Sequence, residues 1–345
     1  MKRGAIMAGV LAAILAALPF LPVAAQTAEN PNQPPPHTAP FPNLSTGEDR
    51  EDAKASLALG PQMQRGVSVA AMLDQRERLD AALGELRAQR PGTVDAYVVT
   101  VALDSDPVFA REAREAGRVL SRRYGADGRT LVLAGPDGTR DDRPHGSIEA
   151  LALSLARIAE LMDPAEDALV LYTTSHGAPV GLTYHYGDTG YGVLSPERLK
   201  AVLEELGIKR RVLILSACYS GIFIPALSGP DSAIMTAAAG NRTSFGCEAD
   251  NDWTFYGDAM INRALRKPLP LPKAAREANR TIAAWETSLR LFSSLPQFAI
   301  GESAKTWLAE LEANLPAAGQ PVGRSAFEAA KEKLASQPSP QPARR

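Results

Sequence analysis

The sequence has few of the residues that mark several large classes of protein. It contains two cysteines and four histidines in 345 residues, with a formal net charge of −2. Two cysteines exclude a disulfide-rich scaffold, and the balanced charge gives no basic footprint for nucleic acid. Neither Cys-x-x-Cys nor His-x-x-x-His spacing occurs, so no metal or other cofactor is predicted. Beyond the N-terminus, no apolar stretch is long enough to span a membrane.

What the sequence does have is the composition of an ordinary globular protein, with 45% hydrophobic and 22% charged residues. The first 25 residues resemble an export signal. Lys2 and Arg3 precede an apolar stretch, and Val23-Ala24-Ala25 fits the small-residue cleavage pattern. We therefore expect a periplasmic or secreted protein without stable membrane insertion. An uncleaved anchor remains the alternative, since Gly4–Ala25 is nearly long enough to cross a bilayer.

The remaining chain divides by composition into three parts. Residues 26–66 are rich in Pro, Asn, Thr and Gln, which predicts a disordered or extended linker in which His37 is solvated. Residues 67–303 alternate apolar strand-like runs with amphipathic helical segments, as one α/β domain does. Residues 304–345 are predicted to form a tail of weak helices and a Pro-rich end.

Two strand-like runs lead to the candidate catalytic residues. Ala168–Thr173 leads to Ser-His-Gly at His176, and Val212–Leu215 leads to Ser-Ala-Cys at Cys218. The helical segment Pro196–Leu206 between them makes a βαβ unit, whose strands are usually parallel neighbours. Chemistry in open α/β sheets lies beyond the carboxyl ends of such strands. A thiol and an imidazole are thus expected in one cleft, as nucleophilic cysteine catalysis requires.

These motifs resemble those of the legumain-type cysteine peptidases, family C13, which belong with the caspases. Legumains carry His-Gly and Ala-Cys-x-Ser-Gly at the corresponding places, and Ser293–Gly301 is similar to their Ser-x-Pro-Gln segment. The resemblance, with the leader, indicates an exported member of bacterial type. It implies a three-layer α/β/α caspase-like fold with a mostly parallel sheet of about six strands. It also implies a cysteine endopeptidase acting on peptides or proteins, with ligation of peptides as a related activity.

The resemblance also implies a role for each residue of the pair. Cys218 would be the nucleophile and His176 the acid that protonates the leaving amine, while backbone N–H groups of Gly177 and Cys218 would hold the oxyanion. A helix beginning just after Cys218 would independently favour a thiolate and an oxyanion. The family's histidine-orienting asparagine is missing here. One residue of Asp104-Ser105-Asp106 takes that role or simply caps the loop.

The substrate pocket departs from the legumain pattern. Ser216 stands where legumains have an acidic residue two positions before the cysteine, so their preference for asparagine does not carry over. Ser244 and Asp252 lie in the region that forms a pocket wall in this clan. Arg111 is either a pocket residue or part of a solvated helix face.

Three other interpretations stay open at this point. A Cys218–Cys247 disulfide would indicate a catalytically inactive caspase-like module that binds peptides or a partner. A zinc site of His176, His185 and Cys218 lacks metal-type spacing, and His185 is expected to face solvent or substrate from a β-hairpin. A serine hydrolase is disfavoured because no Gly-x-Ser-x-Gly elbow is present.

Overall fold

The computed structural model of the chain describes residue 30 and residues 32–336. The predicted export signal and the Pro-rich end beyond residue 336 lie outside the described residues. Within the described part, no helix combines the length and the apolarity needed to cross a membrane.

Strands and helices alternate through most of the described chain. The strands, in chain order, are β1 (Gln62–Gln64), β2 (Ala96–Ala102), β3 (Thr130–Leu133), β4 (Ala168–Thr174), β5 (Gly177–Ala178), β6 (Gly181–Tyr186), β7 (Gly190–Leu194), β8 (Arg211–Ser216), β9 (Ser232–Thr236) and β10 (Gln297–Ile300). The helices are α1 (Arg50–Ala58), α2 (Val69–Gly84), α3 (Pro107–Tyr124), α4 (Ile148–Leu161), α5 (Pro196–Glu205), α6 (Phe223–Leu227), α7 (Leu271–Leu289), α8 (Glu302–Leu311) and α9 (Ala326–Ser336). A 3₁₀ turn, Ser220–Ile222, precedes α6, and a π-helix, Gly257–Ala264, precedes α7.

The central sheet has six strands in the order β10-β9-β8-β4-β2-β3. All of its pairings are parallel except β10 with β9. Strands β2 and β4 are fully buried along their length, which matches their continuous apolar sequences rather than an alternating pattern. The predicted mostly parallel sheet of about six strands is confirmed.

Helices cover both faces of this sheet because successive strand residues point to opposite sides. Val98 and Val170 lie in one core cluster with side chains of α3, α7 and the π-helix. Tyr97 and Leu169 lie in a second cluster with side chains of α2, α4 and α5. The result is the predicted three-layer α/β/α arrangement.

A small second sheet lies beside the carboxyl ends of the central strands. Its strand order is β1-β7-β6-β5, and β6 pairs with β7 as an antiparallel hairpin. Tyr186 opposes Gly190 across the turn, where the sequence predicted a hairpin. Strand β5 begins at Gly177, one residue after His176, so the second sheet starts directly beside the predicted catalytic histidine.

The prediction of an unstructured linker is wrong for its described residues. Helix α1 forms in this segment with Asp49 as its N-cap, and β1 adds to the hairpin sheet by pairing with β7. Asp188 in the hairpin turn accepts hydrogen bonds from the backbone of Thr38 and Ala39 at 2.8 Å each. Polar anchors of this kind hold the segment, which explains why a composition poor in apolar residues misled the prediction.

The predicted boundary at residue 303 is also wrong. Ala304, Trp307 and Leu308 of α8 and Ala326 of α9 belong to the same core cluster as α3 and α7. The C-terminal helices predicted from the sequence are present, but they complete the α/β domain instead of trailing from it.

Candidate active site

The sheet register places Cys218 and His176 next to each other, beyond the carboxyl ends of β8 and β4. Thr174 of β4 pairs with Ser216 of β8, and the N–H of Ser175 donates to the Ser216 carbonyl at 3.2 Å. His176 and Cys218 each lie two residues beyond the end of their strand, at equivalent positions after this pair. A Cβ at Gly177 would overlap the carbonyl oxygen of Cys218. Only glycine allows these two backbone segments to lie so close.

The thiol of Cys218 is held by the loop that follows β9. The backbone N–H of Ser244 donates to its sulfur at 3.2 Å, and the Ser244 hydroxyl lies 3.5 Å from it. Cys247 also donates a hydrogen bond to Cys218. That bond, with the Ser244 contacts and the charge of His176, outweighs burial and holds the pKa of the Cys218 thiol well below its usual value. Such stabilisation is what a nucleophilic cysteine needs.

The pKa of Cys247 shifts in the opposite direction. Its hydrogen bond to Cys218, together with burial, raises the pKa of the Cys247 thiol well above its usual value. Both cysteines are free thiols in the structure. The predicted alternative of a Cys218–Cys247 disulfide is therefore not the state seen here, although the two side chains do meet.

His176 faces the cleft with its side chain half-exposed. Its Nε2 lies 3.3 Å from Oδ2 of Asp106, and Phe109 contacts the ring edge-on with centroids 5.1 Å apart. Burial disfavours the charged ring, but the Asp106 hydrogen bond and the charges of Asp104 and Asp106 outweigh it and raise the pKa of His176. The imidazole is thus poised to carry a proton near neutral pH.

Asp106 is the member of the Asp104–Asp106 loop that orients the histidine. It is the N-cap residue of α3, yet its carboxylate makes no capping hydrogen bond, so it is available to His176. That hydrogen bond lowers the pKa of Asp106. Asp104 instead is buried beneath the loop, where burial raises its pKa to about 6.

A buried carboxylate that the sequence analysis missed lies under the site. Glu112 of α3 is fully buried, and it accepts hydrogen bonds from the hydroxyls of Tyr172, Thr174 and Ser216 and from the Thr254 N–H. Burial raises its pKa. The only sequence signal is a glutamate within the apolar face of α3, beside Phe109 and Ala113. It ties the ends of β4 and β8 to the loop before the π-helix.

The four predicted pocket residues lie in different surroundings. Ser244 is at the thiol, as described, whereas Ser216 is buried with its hydroxyl between Glu112 and Thr254. Arg111 Nε lies 3.8 Å from Oδ1 of Asp252.

Arg111 braces the loop that carries Asp252. It donates to the carbonyl of Asn251, at 2.6 Å from one guanidinium nitrogen, and to those of Asp137 and Ala249. This is neither a free pocket guanidinium nor a solvated helix face. Arg111 still holds in place the loop with Asp252, which the sequence analysis assigned to the pocket wall.

The sequence analysis predicted the wrong surroundings for His37 and His185. His37 was expected in solvent, but it stacks on His185 with ring centroids 3.5 Å apart. His185, expected to face solvent or substrate, has 13% of its side chain exposed. Among the described residues, the groups whose ligand atoms lie within 4.8 Å of one another are His37–Asp104–His185 and Asp104–Asp106–His176, not the combination of His176, His185 and Cys218 considered from the sequence.

Comparison with known proteins agrees with this geometry. Residues 150–276 match the family model described as the Peptidase C13 family. Over this segment the chain is similar to the C13 peptidases. The matched segment includes β4, the hairpin and β8, and so both His176 and Cys218. The match supports a cysteine peptidase that acts on peptides or proteins.

Two further comparisons add less to the C13 assignment. The crystal structure of caspase-1 from Spodoptera frugiperda resembles the chain with a TM-score of 0.42 and 13% identity, covering 62% of this chain and 92% of that chain. That likeness is too distant to carry an argument. No curated protein matches the chain.

Proposed function

We propose that the protein is an exported cysteine endopeptidase that uses Cys218 as nucleophile and His176 as general acid. The observation that carries the proposal is the juxtaposition at the ends of β4 and β8 of a thiol with a lowered pKa and an imidazole with a raised pKa. A thiolate beside an imidazolium is the charge state in which the nucleophile and the acid are both ready at neutral pH.

The reaction follows from these two groups. The Cys218 thiolate attacks the carbonyl carbon of the scissile bond, and the resulting oxyanion is held by backbone N–H groups of Gly177 and Cys218. His176, oriented by Asp106, gives its proton to the leaving amine as the carbon–nitrogen bond breaks. Water then attacks the thioester, which releases the second product and restores the thiol.

The substrate pocket that we propose is walled by Ser244 and by Asp252, with Arg111 as the brace of that wall. Ser216 contributes through Glu112 beneath the pocket and presents no charge to the substrate. Export rests on the leader alone. N-terminal sequencing of the protein recovered outside the cytoplasm should return Gln26, and recovery of Met1 would favour a membrane anchor.

The test of the proposal separates the two cysteines. Cys218→Ala should abolish cleavage of a mixed peptide library, by roughly 10⁴-fold or more, and abolish labelling by a peptidyl acyloxymethyl ketone. Cys247→Ala is the matched control, since it removes the neighbouring thiol but leaves the nucleophile. It should retain measurable turnover and label.

The competing function is a catalytically inactive binding module, which the contact between Cys218 and Cys247 favours. Its signature would be an intact mass for the unreduced protein lower by the two hydrogens of a disulfide, with no alkylation under denaturing conditions. That result, together with no cleavage of any library peptide, would replace the peptidase proposal.

A further inference from the structure

The central sheet has an open edge at β3. Within the described residues, β3 is the last strand of the sheet order and pairs with β2 alone. The Val98 N–H donates to the Arg129 carbonyl, and a parallel ladder bonds alternate residues of each strand. Leu131 therefore turns its backbone groups toward β2, whereas those of Thr130 and Val132 point away from the sheet.

The outward backbone groups of this edge have no partner in the described part of the chain. The loop after β3 covers the edge only from Ala134 onward, where the Ala134 N–H donates to the Pro144 carbonyl at 2.9 Å. Proteins often protect an open edge with charged residues in the edge strand itself. Thr130–Leu133, with the sequence Thr-Leu-Val-Leu, contains none. The edge is therefore a template for a further strand.

A groove runs along this edge, which we call the β3 groove. Its volume is about 880 Å³, and it is lined by α3, by the C-terminal end of α2 and by β3. Helices α3 and α2 pack on opposite faces of the sheet, so the groove between them continues the plane of the sheet past β3. Neighbouring strands lie about 4.8 Å apart, and an added strand would therefore lie in this groove.

The lining of the β3 groove is rich in positive charge. It includes three acidic residues, Glu85, Asp127 and Asp142, and six arginines, which are Arg87, Arg114, Arg118, Arg122, Arg140 and Arg143. The formal net charge of the whole chain is −2, so cations are concentrated here. The side chains of Arg87, Arg140 and Arg143 are each more than half exposed. Exposed ion pairs are weak, and these guanidinium groups can exchange their partners for a bound carboxylate.

The open edge and the arginines together specify the occupant. Backbone N–H and C=O groups in a row are matched by another polypeptide backbone in extended conformation. The surrounding guanidinium groups favour Asp or Glu side chains on that segment. A phosphate group or a nucleic acid would match the arginines but would leave the edge of β3 unpaired.

The sequences of the chain's own termini do not match this occupant. Residues 1–29 contain one acidic residue, and residues 337–345 contain none. Residues 337–345 also include three prolines and two arginines. Proline has no N–H to donate to a ladder, and arginine would be repelled by the lining. The segment that fits therefore belongs to another protein.

We propose that the β3 groove binds an acidic, extended segment of a partner protein, which adds a seventh strand to the central sheet. In the strand order, β2 separates β3 from β4, so the bound segment lies apart from His176 and Cys218. The proposal stands independently of the peptidase function.

The probe is a nine-residue peptide of alternating glutamate and valine with fluorescein at its N-terminus. Fluorescence anisotropy measures its binding to the full-length protein. Replacing glutamate by lysine should weaken binding by about tenfold or more, because the arginines then repel the peptide. Methylating every backbone nitrogen keeps the charge but removes the donors, and it should also weaken binding by about tenfold or more.

Val132→Pro tests the backbone pairing on the protein side. It removes an N–H that the sheet does not use, and proline is tolerated at edge positions whose N–H faces solvent. The circular dichroism spectrum should therefore stay unchanged, while peptide binding should fall by about tenfold or more.

A charge-reversed variant keeps the proposal testable if Val132→Pro fails to fold. Arg87→Glu combined with Arg122→Glu should weaken binding by about tenfold or more. Arg157→Glu is the matched control, since Arg157 lies on α4 outside the groove and its side chain is 37% exposed. It should bind the peptide as the wild type does.

Hydrogen exchange locates the bound peptide. Amide exchange within residues 130–133 should slow when the peptide binds to the wild type or to Arg157→Glu. The proposal is overturned if the methylated peptide binds as well as its parent, or if inorganic tripolyphosphate displaces the peptide at equal concentration. It is also overturned if the free protein is a dimer that Val132→Pro dissociates, which would place a second copy of the chain in the groove.

Discussion

The ends of the parallel strands and the loops around them contribute to this site in different ways. His176 and Cys218 are placed by the pairing of β4 with β8, which extends to Thr174 and Ser216. The groups that tune them come from elsewhere: Asp106 precedes α3, and Ser244 and Cys247 follow β9. In the proposed reaction, the sheet therefore supplies the reacting atoms, and the loops supply the groups that shift their pKa values. Removing a strand-end residue should cost far more than altering a loop residue.

The largest effect in this comparison should come from His176, the residue at the end of β4. His176→Ala removes the proposed acid and should slow turnover by about 10²–10⁴-fold, with little change in substrate binding. Because the acid and the nucleophile act in one step, the double variant with Cys218→Ala should lose no more than Cys218→Ala alone. Steady-state and single-turnover kinetics measure both effects. Additive losses would mean that the two side chains do not act together.

A smaller effect is expected from Cys247 in the loop. The lowered pKa of Cys218 means that its thiolate persists as the pH falls below neutrality. Cys247→Ala removes the first cause of that shift, so the midpoint of alkylation against pH should rise toward the ordinary thiol value of about 8.5. At pH 6 the rate of iodoacetamide labelling should then fall about tenfold or more, since each pH unit below the pKa is tenfold in thiolate.

Cys247→Ser is the matched variant for this loop contact. It keeps a hydrogen-bond donor, so its midpoint should stay closer to that of the wild type. An unchanged midpoint in Cys247→Ala would contradict the view that the loop sets the thiol's protonation state.

The smallest effect should come from Arg111, which acts one contact further away. Arg111→Ala frees the 249–252 loop from its brace, and losing about 1 kcal/mol of hydrogen bonding corresponds to roughly a fivefold rise in KM, with kcat within twofold. Arg118→Ala on the same helix, whose side chain is 58% exposed, should change neither. A fall in kcat without a rise in KM would place Arg111 in the chemistry rather than in the pocket wall.

Much of the fold could be predicted from the sequence because its signals are local. The apolar runs of β2, β4 and β8 and the proline and glycine at the ends of α5 depend on neighbouring residues only. The two motifs at the strand ends could be placed for the same reason. The parallel order then follows from general rules of connection.

The sequence failed where a contact joins distant residues through polar groups. Glu112 and Ser216 are 104 residues apart, and His37 and Asp104 are 67 apart, and neither pair leaves a periodic trace. Asp188 anchors the N-terminal segment by accepting hydrogen bonds from backbone N–H groups. Because nearly every residue has such a group, the sequence gives no sign of which ones are used. Composition alone therefore predicted an unpacked linker where the chain is bound to the domain.

The sequence by itself determined the strands, the helices between them and the residue types at the strand ends, because hydrophobic burial and backbone geometry act over short stretches. Only the tertiary structure decided which groups lower the pKa of Cys218, which of two aspartates contacts His176 and which histidines meet Asp104. Those outcomes depend on burial and on hydrogen-bond donors brought from other parts of the chain, and electrostatic free energy is set by distances of a few ångströms that no local pattern encodes.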